Sequence, residues 1–422
     1  MPVHLEIDRP AVTLVLQCVS CGACRGGGAE TRCARCGGRL EVVRSRHVST
    51  GDLPVDAMSH GVWRFAPLLV PVPSASRVSL DEGGTPLVQA GRSADRLGIE
   101  LAYKDEARNP TGTFKDRGLA VAVSVALAHD VTGIVCASTG NAGAAAAAYG
   151  ARANLPVVVL VPERTPAGKM AQALIYGAHV LRVRGTYSDA YDLADKAASD
   201  LGWLNTTSTF ACPYTVEGAR TVAYELYEKS PKVPDWIVVP IGSGPLLVAI
   251  LEGFADLLEL ELVSSLPRML AVQAAGCAPI VRAFQEHQPV RAWDSPRTVA
   301  GSLADPLAGY EDEGEVTLAA IRTSNGGAVA ISDGEILAAV RALAREEGLF
   351  HEPGSAISLA AVKQARSSGW ITAGQSVVAC LTGTGLKDPR AALKRSDSVA
   401  VIEPTREGLE AALLSVIGRA SG

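Results

Sequence analysis

An α/β fold organised around parallel sheets is what this sequence predicts, and three observations carry the prediction. From about residue 81 onward, short β-branched runs alternate with longer alanine-rich ones, the pattern of repeated β-α units. Hydrophobic residues make up 48% of the sequence but aromatics only 5%, so Ala, Val and Leu must fill the core, as in sheets covered by helices. With 422 residues, the chain has room for two or three domains.

The apolar β-branched runs mark strands at Ile134 to Ala137, Val157 to Val161, His179 to Val183, Trp236 to Pro240, Met269 to Gln273 and Val377 to Leu381. Between them the sequence predicts helices over Asn141 to Ala153, Pro166 to Tyr176, Ser188 to Leu201, Val216 to Glu228, Leu246 to Leu258, Asp333 to Glu347 and Ala356 to Ser367. Ser332 and Asp333 read as a helix start and Gly348 as a stop. Residues 46–80, proline-rich near Pro67, Pro71 and Pro73, read as a connecting segment. The tail beyond Arg390 reads as a strand and a terminal helix.

A net charge of −5 indicates no basic face, so nucleic acid is not an expected partner. Met1 to Arg9 contains His4, Glu6 and Asp8 and lacks the apolar run of a signal peptide. No window reaches the roughly 18 apolar residues of a membrane span. A cytoplasmic protein without membrane contact is the expectation.

Of nine cysteines, Cys136, Cys212, Cys277 and Cys380 are scattered, and Cys136 and Cys380 sit in apolar runs where cysteine acts as a small hydrophobe. The other five are Cys18, Cys21, Cys24, Cys33 and Cys36. Cys18-x2-Cys21 and Cys33-x2-Cys36 flank glycines that permit tight knuckle turns, and tetrahedral zinc is the expected occupant. Two disulfides or a redox pair are the alternatives, disfavoured by a cytosolic setting and by the lack of a thioredoxin-like context. Cys24 reads as a spare thiol that could replace Cys21.

Asn109-Pro110-Thr111-Gly112-Thr113-Phe114-Lys115-Asp116-Arg117-Gly118 places one lysine after a turn and at the entrance of an apolar helix. A nucleophilic lysine must be desolvated or near positive charge, and a buried helix start supplies both. A solvated Lys115–Asp116 pair is the bland alternative. Ser138-Thr139-Gly140-Asn141 follows a strand and opens a helix, where free amides attract an anion and hydroxyls orient a carboxylate; simple capping by Asn141 is the other reading. Gly242-Ser243-Gly244 also joins a strand to a helix and suits a phosphate. Thr382 follows the strand ending at Leu381, with Gly383 and Gly385 permitting close approach.

These segments, with Lys104 to Arg108, Glu82-Gly83-Gly84-Thr85-Pro86-Leu87, Glu217-Gly218 with Thr221, and Leu381 to Asp388, resemble the threonine synthase family of fold-type II enzymes. That family uses pyridoxal 5′-phosphate (PLP). The likeness runs in register from residue 82 to 388. It implies two doubly wound parallel-sheet lobes, a large one from 81–128 and 206–395 and a small mobile one from 129–205, after a zinc-ribbon-like module at 1–45 and the connector, with a tail at 396–422. It implies that Lys115 carries the cofactor covalently and that Ser138, Thr139, Gly140 and Asn141 grip the substrate carboxylate. Asn141 would also contact the cofactor's phenolic oxygen, Gly242, Ser243 and Gly244 its phosphate, and Thr382 its ring nitrogen. A homodimer is family habit, and some long-form threonine synthases carry a similar cysteine module.

The expected activity is elimination or replacement at the β or γ carbon of an activated amino acid, the nearest named reaction being O-phosphohomoserine to threonine. Departures from the family pattern bear on the substrate: Ala142 and Thr215 stand where relatives have threonine and arginine, Ser243 where they have asparagine, and Pro245 removes an amide from the phosphate loop. They predict a smaller or less charged leaving group, as in a specialised β-replacement enzyme or dehydratase using serine, threonine, O-phosphoserine or an O-acyl amino acid, unless Arg164, Lys169 or Arg220 restores the charge. A non-catalytic zinc-knuckle binding protein is the alternative of a different class.

Overall fold

The computed structural model describes residues 12–25, 28–46, 52–165, 167–230, 232–389, 401–407, 409–410 and 412–413. The chain divides into two units, 1–387 and 388–422. In the second, helical residues occur at 406–407, 409–410 and 412–413, with an Arg406–Glu410 ion pair. The strand and helix expected in the tail fall mostly outside the described residues.

In chain order the first unit contains β1 (Val12–Cys18), β2 (Cys24–Arg25), β3 (Leu40–Arg46), β4 (Leu87–Gln89), α1 (Arg92–Leu97), β5 (Glu100–Asp105), α2 (Lys115–Ala128), β6 (Ile134–Ala137), α3 (Asn141–Arg152), β7 (Val157–Pro162) and α4 (Ala167–Ile175). It continues with β8 (His179–Val183), α5 (Tyr187–Leu201), β9 (Leu204–Asn205), α6 (Pro213–Lys229), β10 (Trp236–Pro240), α7 (Pro245–Glu259), β11 (Arg268–Ala274) and α8 (Pro279–Glu286). Last come α9 (Glu311–Thr323), β12 (Gly327–Ile331), α10 (Asp333–Ala342), α11 (Pro353–Ser367) and β13 (Ser376–Leu381). All six strands expected from apolar runs are present. Ser332 caps α10 reciprocally with Glu335, as its start signal predicts. The single helix expected to Glu347 changes at Leu343 to a π-wound turn, which ends in left-handed Gly348.

Three sheets form among the described residues. A six-stranded sheet has the order β12-β11-β10-β13-β5-β4, parallel except for the β4–β5 pair. A four-stranded parallel sheet has the order β8-β7-β6-β9. The antiparallel sheet β2-β1-β3 carries the cysteines, and its Leu16 and Leu40 join the core that surrounds α2 and α3.

The frame around α2 explains several motif residues. Arg117, fully buried, donates to Glu106 at 2.6 Å, to Glu225 at 2.6 Å and to Thr221 at 2.9 Å. Lys104, also buried, pairs with Glu225 at 2.6 Å. Helices α2 and α6 cross where a Cβ on Gly218 would stand 2.1 Å from the Arg117 carbonyl oxygen and one on Gly118 would stand 2.5 Å from that of Thr215. Larger residues there would push apart the two helices that fix the start of α2.

Candidate active site

Lys115 opens α2, and the turn before it is pinned on both sides. Thr111 donates to the Asp116 carboxylate through its N–H at 2.7 Å and its hydroxyl at 2.6 Å, while the Phe114 N–H donates to the Thr382 carbonyl at 3.2 Å. Asp116 is therefore engaged with Thr111, and the solvated Lys115–Asp116 pair does not form. Among the described residues the hydrogen-bond partner of Lys115 Nζ is the Ser208 carbonyl, 3.5 Å away. Burial brings this ammonium down to about 8, with Cys136 and Asp305 pulling the other way. An amine of that strength is about one-tenth neutral at pH 7, against far less for an exposed lysine.

Nζ faces a cavity of about 1160 Å³ whose walls bring together Ser138, Thr139, Gly140, Asn141, Gly242, Ser243, Gly244 and Thr382. The Ser138–Asn141 loop joins β6 to α3, and Gly140 is the cap residue. Asn141 is the first helical residue, and its Nδ2 donates to Glu352 at 2.7 Å, so the capping alternative does not hold. The Gly242–Gly244 loop joins β10 to α7, with Gly244 left-handed at φ 104° and Pro245 in the first helical position. An anion at this end of α7 meets outward amides, one fewer than a glycine at 245 would give. Thr382 follows β13, the strand between β10 and β5.

The structure adds residues that sequence reasoning missed. Asp305 lies on the cavity wall, where its Oδ1 accepts from the Tyr310 hydroxyl at 2.7 Å and the Leu307 N–H at 3.1 Å. Glu352, buried, accepts from Asn141, and burial raises its carboxyl above the usual range. Lys387 reaches into the cavity and donates to Gln172 Oε1 at 2.7 Å; burial lowers its ammonium. His351 holds the loop after Thr382, its Nδ1 lying 3.1 Å from the Gly383 carbonyl oxygen. A carboxylate preceding Pro353 looks in sequence like helix capping, and Asp305 belongs to no motif.

The positions tied to the substrate do not form one cluster. Ala142 and Ser243 line the cavity, but Thr215 donates to the Cys212 carbonyl at 2.7 Å and borders a separate void of about 20 Å³ beside Lys115. Arg164 and Lys169 line the cavity, as does Lys387. Arg220 does not: it is tied to Glu217 at 2.9 Å, to Glu252 and to Asp256 on the α6–α7 side.

Comparison with known proteins gives this arrangement its setting. Residues 78–383 match the family model described as pyridoxal-phosphate dependent enzyme. A threonine synthase of Methanosarcina acetivorans is 39% identical over 94% of this chain and 98% of its own, and one of Methanocaldococcus jannaschii 37% identical over 92% and 97%. The chain belongs to the pyridoxal-phosphate dependent enzymes of the threonine synthase family. In fold, a maize serine racemase structure superposes with a TM-score of 0.64 at 22% identity, covering 74% of this chain and 92% of that one.

The cavity fits the cofactor of this family. A low-pKa amine that can meet an aldehyde, amides at a helix start for a phosphate and a threonine at the end of the neighbouring strand line one space of sufficient size. Lys104 is unavailable for that role because it is sealed in its ion pair with Glu225.

The cysteines form a second candidate centre. The Sγ atoms of Cys18, Cys21, Cys33 and Cys36 lie within 4.8 Å of one another, with Cys18 to Cys36 at 3.4 Å and Cys21 to Cys33 at 3.8 Å. Tetrahedral zinc with bonds of about 2.3 Å places sulfurs about 3.8 Å apart, so the four fit that ion. Left-handed Gly22 and Gly37 allow matched knuckles in which the Gly22 N–H donates to the Cys18 carbonyl and the Gly37 N–H to the Cys33 carbonyl. Cys24 points away, its Sγ 3.6 Å from the Gly22 carbonyl oxygen, and does not replace Cys21.

Proposed function

We propose that this enzyme converts an activated amino acid by elimination and replacement, with O-phosphohomoserine to threonine as its reaction. The observation that carries the reading is the Lys115 amine, lowered to about 8, facing the Ser138–Asn141 loop across one cavity in a chain 39% identical to a threonine synthase. When bound, PLP supplies an electron sink for negative charge developing at the substrate α carbon. Lys115 Nζ is the atom placed to take and return the α proton. The hydroxyls of Ser138 and Thr139 and the amides at the start of α3 bind and orient the substrate carboxylate. The Gly242–Gly244 amides would hold the cofactor phosphate, Asn141 would contact its phenolic oxygen and Thr382 its ring nitrogen. A hydroxyl partner would leave that nitrogen unprotonated, which suits elimination and replacement.

Arg164, Lys169 and Lys387 support an anionic leaving group, because they supply the charge that Thr215, outside the cavity, does not. Ala142 and Ser243 favour a second reading, β-replacement or dehydration of serine, threonine, O-phosphoserine or an O-acyl amino acid. Comparing kcat/KM for these with O-phosphohomoserine decides between them. Threonine formation at roughly 10⁴ M⁻¹s⁻¹ or more supports the first reading, and turnover confined to the smaller substrates overturns it.

The proposal includes a structural zinc on Cys18, Cys21, Cys33 and Cys36, a small lobe at 129–205 that moves against the large one, and a cytoplasmic homodimer. Nine free cysteines suit a reducing compartment. No helix among the described residues is long and apolar enough to cross a membrane.

A further inference from the structure

One carboxylate stands where an anion is expected to bind. Asp305 packs against the loop of Gly242–Gly244 so closely that a Cβ on Gly242 would lie 3.1 Å from the Asp305 Cβ and 3.4 Å from its Oδ2. The Ser243 main-chain amide stabilises the ionised form of the same carboxylate. The side chain cannot simply swing aside, because Tyr310 and the Leu307 N–H both hold its Oδ1. A phosphate monoester carries nearly two negative charges at neutral pH. Two like charges in one poorly solvated site cannot both stay ionised without cost, and uptake of one proton relieves it.

We propose that Asp305 is a cofactor-anchoring residue that takes up one proton from solvent when the phosphate of PLP enters the Gly242–Gly244 loop, and then donates a hydrogen bond to that phosphate. This deepens the PLP reading and rests on it. The proton goes to a carboxylate oxygen, converting an anion that repels the phosphate into a neutral donor that replaces part of the amide lost at Pro245. Burial already raises the Asp305 carboxyl, against the help given to the ionised form by Tyr310, Leu307 and Lys115. The groups facing it are Lys115 on α2, Tyr187 on α5, Cys277 after β11, and Tyr310 and Glu313 at the start of α9. Among these Lys115 alone is a cation.

The sign follows. PLP affinity of the cofactor-free protein falls about tenfold per pH unit above the Asp305 pKa, the slope of one coupled proton. Lys115 and the phosphate of PLP also change protonation, so the readout is the difference between proteins. PLP is titrated calorimetrically into cofactor-free wild type, Asp305→Asn and Tyr310→Phe, in buffers of differing ionisation enthalpy from pH 6.5 to 9, and pyridoxal without phosphate serves as control. Asp305→Asn is expected to take up about one proton fewer than wild type and to hold PLP with an affinity about tenfold less sensitive to each pH unit. Tyr310→Phe, which removes a donor to the ionised form, is expected to move the wild-type fall to higher pH. With pyridoxal the three proteins are expected to agree. Equal proton uptake by wild type and Asp305→Asn overturns the proposal and leaves the PLP reading intact, whereas no binding of PLP to wild type overturns both.

Discussion

Tyr191 and Tyr310 lie face to face, ring centroids 4.5 Å apart and planes 12° from parallel. Tyr191 belongs to α5 beside the four-stranded sheet, and Tyr310 caps α9 beside the six-stranded one. The Tyr191 hydroxyl donates to Glu313 at 3.1 Å and accepts from Arg32 of the cysteine module at 3.3 Å. Three parts of the first unit thus meet at one ring. Tyr191→Phe is expected to cost about 1–3 kcal/mol by stripping partners from buried polar groups, and Tyr191→Ala about 3–5 kcal/mol through the lost ring. Urea denaturation of both variants checks this; equal midpoints would mean that the stack contributes nothing.

Protein purified without added metal is expected to carry about one zinc per chain, structural because four thiolates close the shell. Cys33→Ser and Cys36→Ser should lose it and Cys24→Ser keep it. Elemental analysis with thiol titration is the check, and metal-free wild type with a full set of reactive thiols refutes the site.

Acid should strike first at the network under α2. Burial would raise the Glu225 carboxyl, yet Arg117 and then Lys104 hold it at about 2. Because its folded value lies below the ordinary value of about 4.3, its contribution is complete above that pH and disappears as pH falls towards 2. Glu225→Gln leaves two buried cations short of a partner and is expected to cost about 3–5 kcal/mol. The acid-unfolding curve of this variant at pH 2 to 6 should lose most of the wild-type slope assigned to this group.

Lys115 should be the most readily acylated lysine of the cofactor-free protein. Its reactivity is expected to rise through pH 8, about two units below an exposed lysine. Peptide mapping after limiting acetylation gives the profile, and borohydride treatment of the PLP-loaded protein should fix the cofactor on the same peptide. Lys115→Ala should lose both the fixed cofactor and turnover.

Thr382→Ala is expected to lower kcat strongly and stability by only about 0.5–1.5 kcal/mol, the net worth of one hydroxyl. The bound-cofactor absorbance should shift in the variant. Unchanged turnover with an unshifted spectrum would reduce Thr382 to a turn residue.

Much of this was legible in the sequence because parallel interior strands are short unbroken apolar runs and because Lys115, the Ser138–Asn141 loop and the Gly242–Gly244 loop each keep their chemistry contiguous. β4 and β9, three and two residues long, have no such run and exist only because β5 and β6 offer them an edge. Asp305 and Glu352 were invisible for a related reason. Each is a single acid in a connecting segment, brought to the cavity by strand order. Arg220 failed in the opposite sense, since its position on α6 points its charge at Asp256 and Glu252, which only the α6–α7 packing reveals.

The cavity draws its two kinds of grip from different sheets. Gly242–Gly244 and Thr382 follow strands of the six-stranded sheet, and Lys115 opens α2 after a turn tied to the Thr382 carbonyl, whereas Ser138–Asn141 stands at the end of β6 in the four-stranded sheet. A shift of one sheet relative to the other would loosen the hold on an amino acid's carboxylate, and the Asn141 contact with it, while leaving the Gly242–Gly244 loop and Thr382 in place. Under the proposed roles, residence times would be uncoupled: the costly reagent would be tenured and the substrate transient.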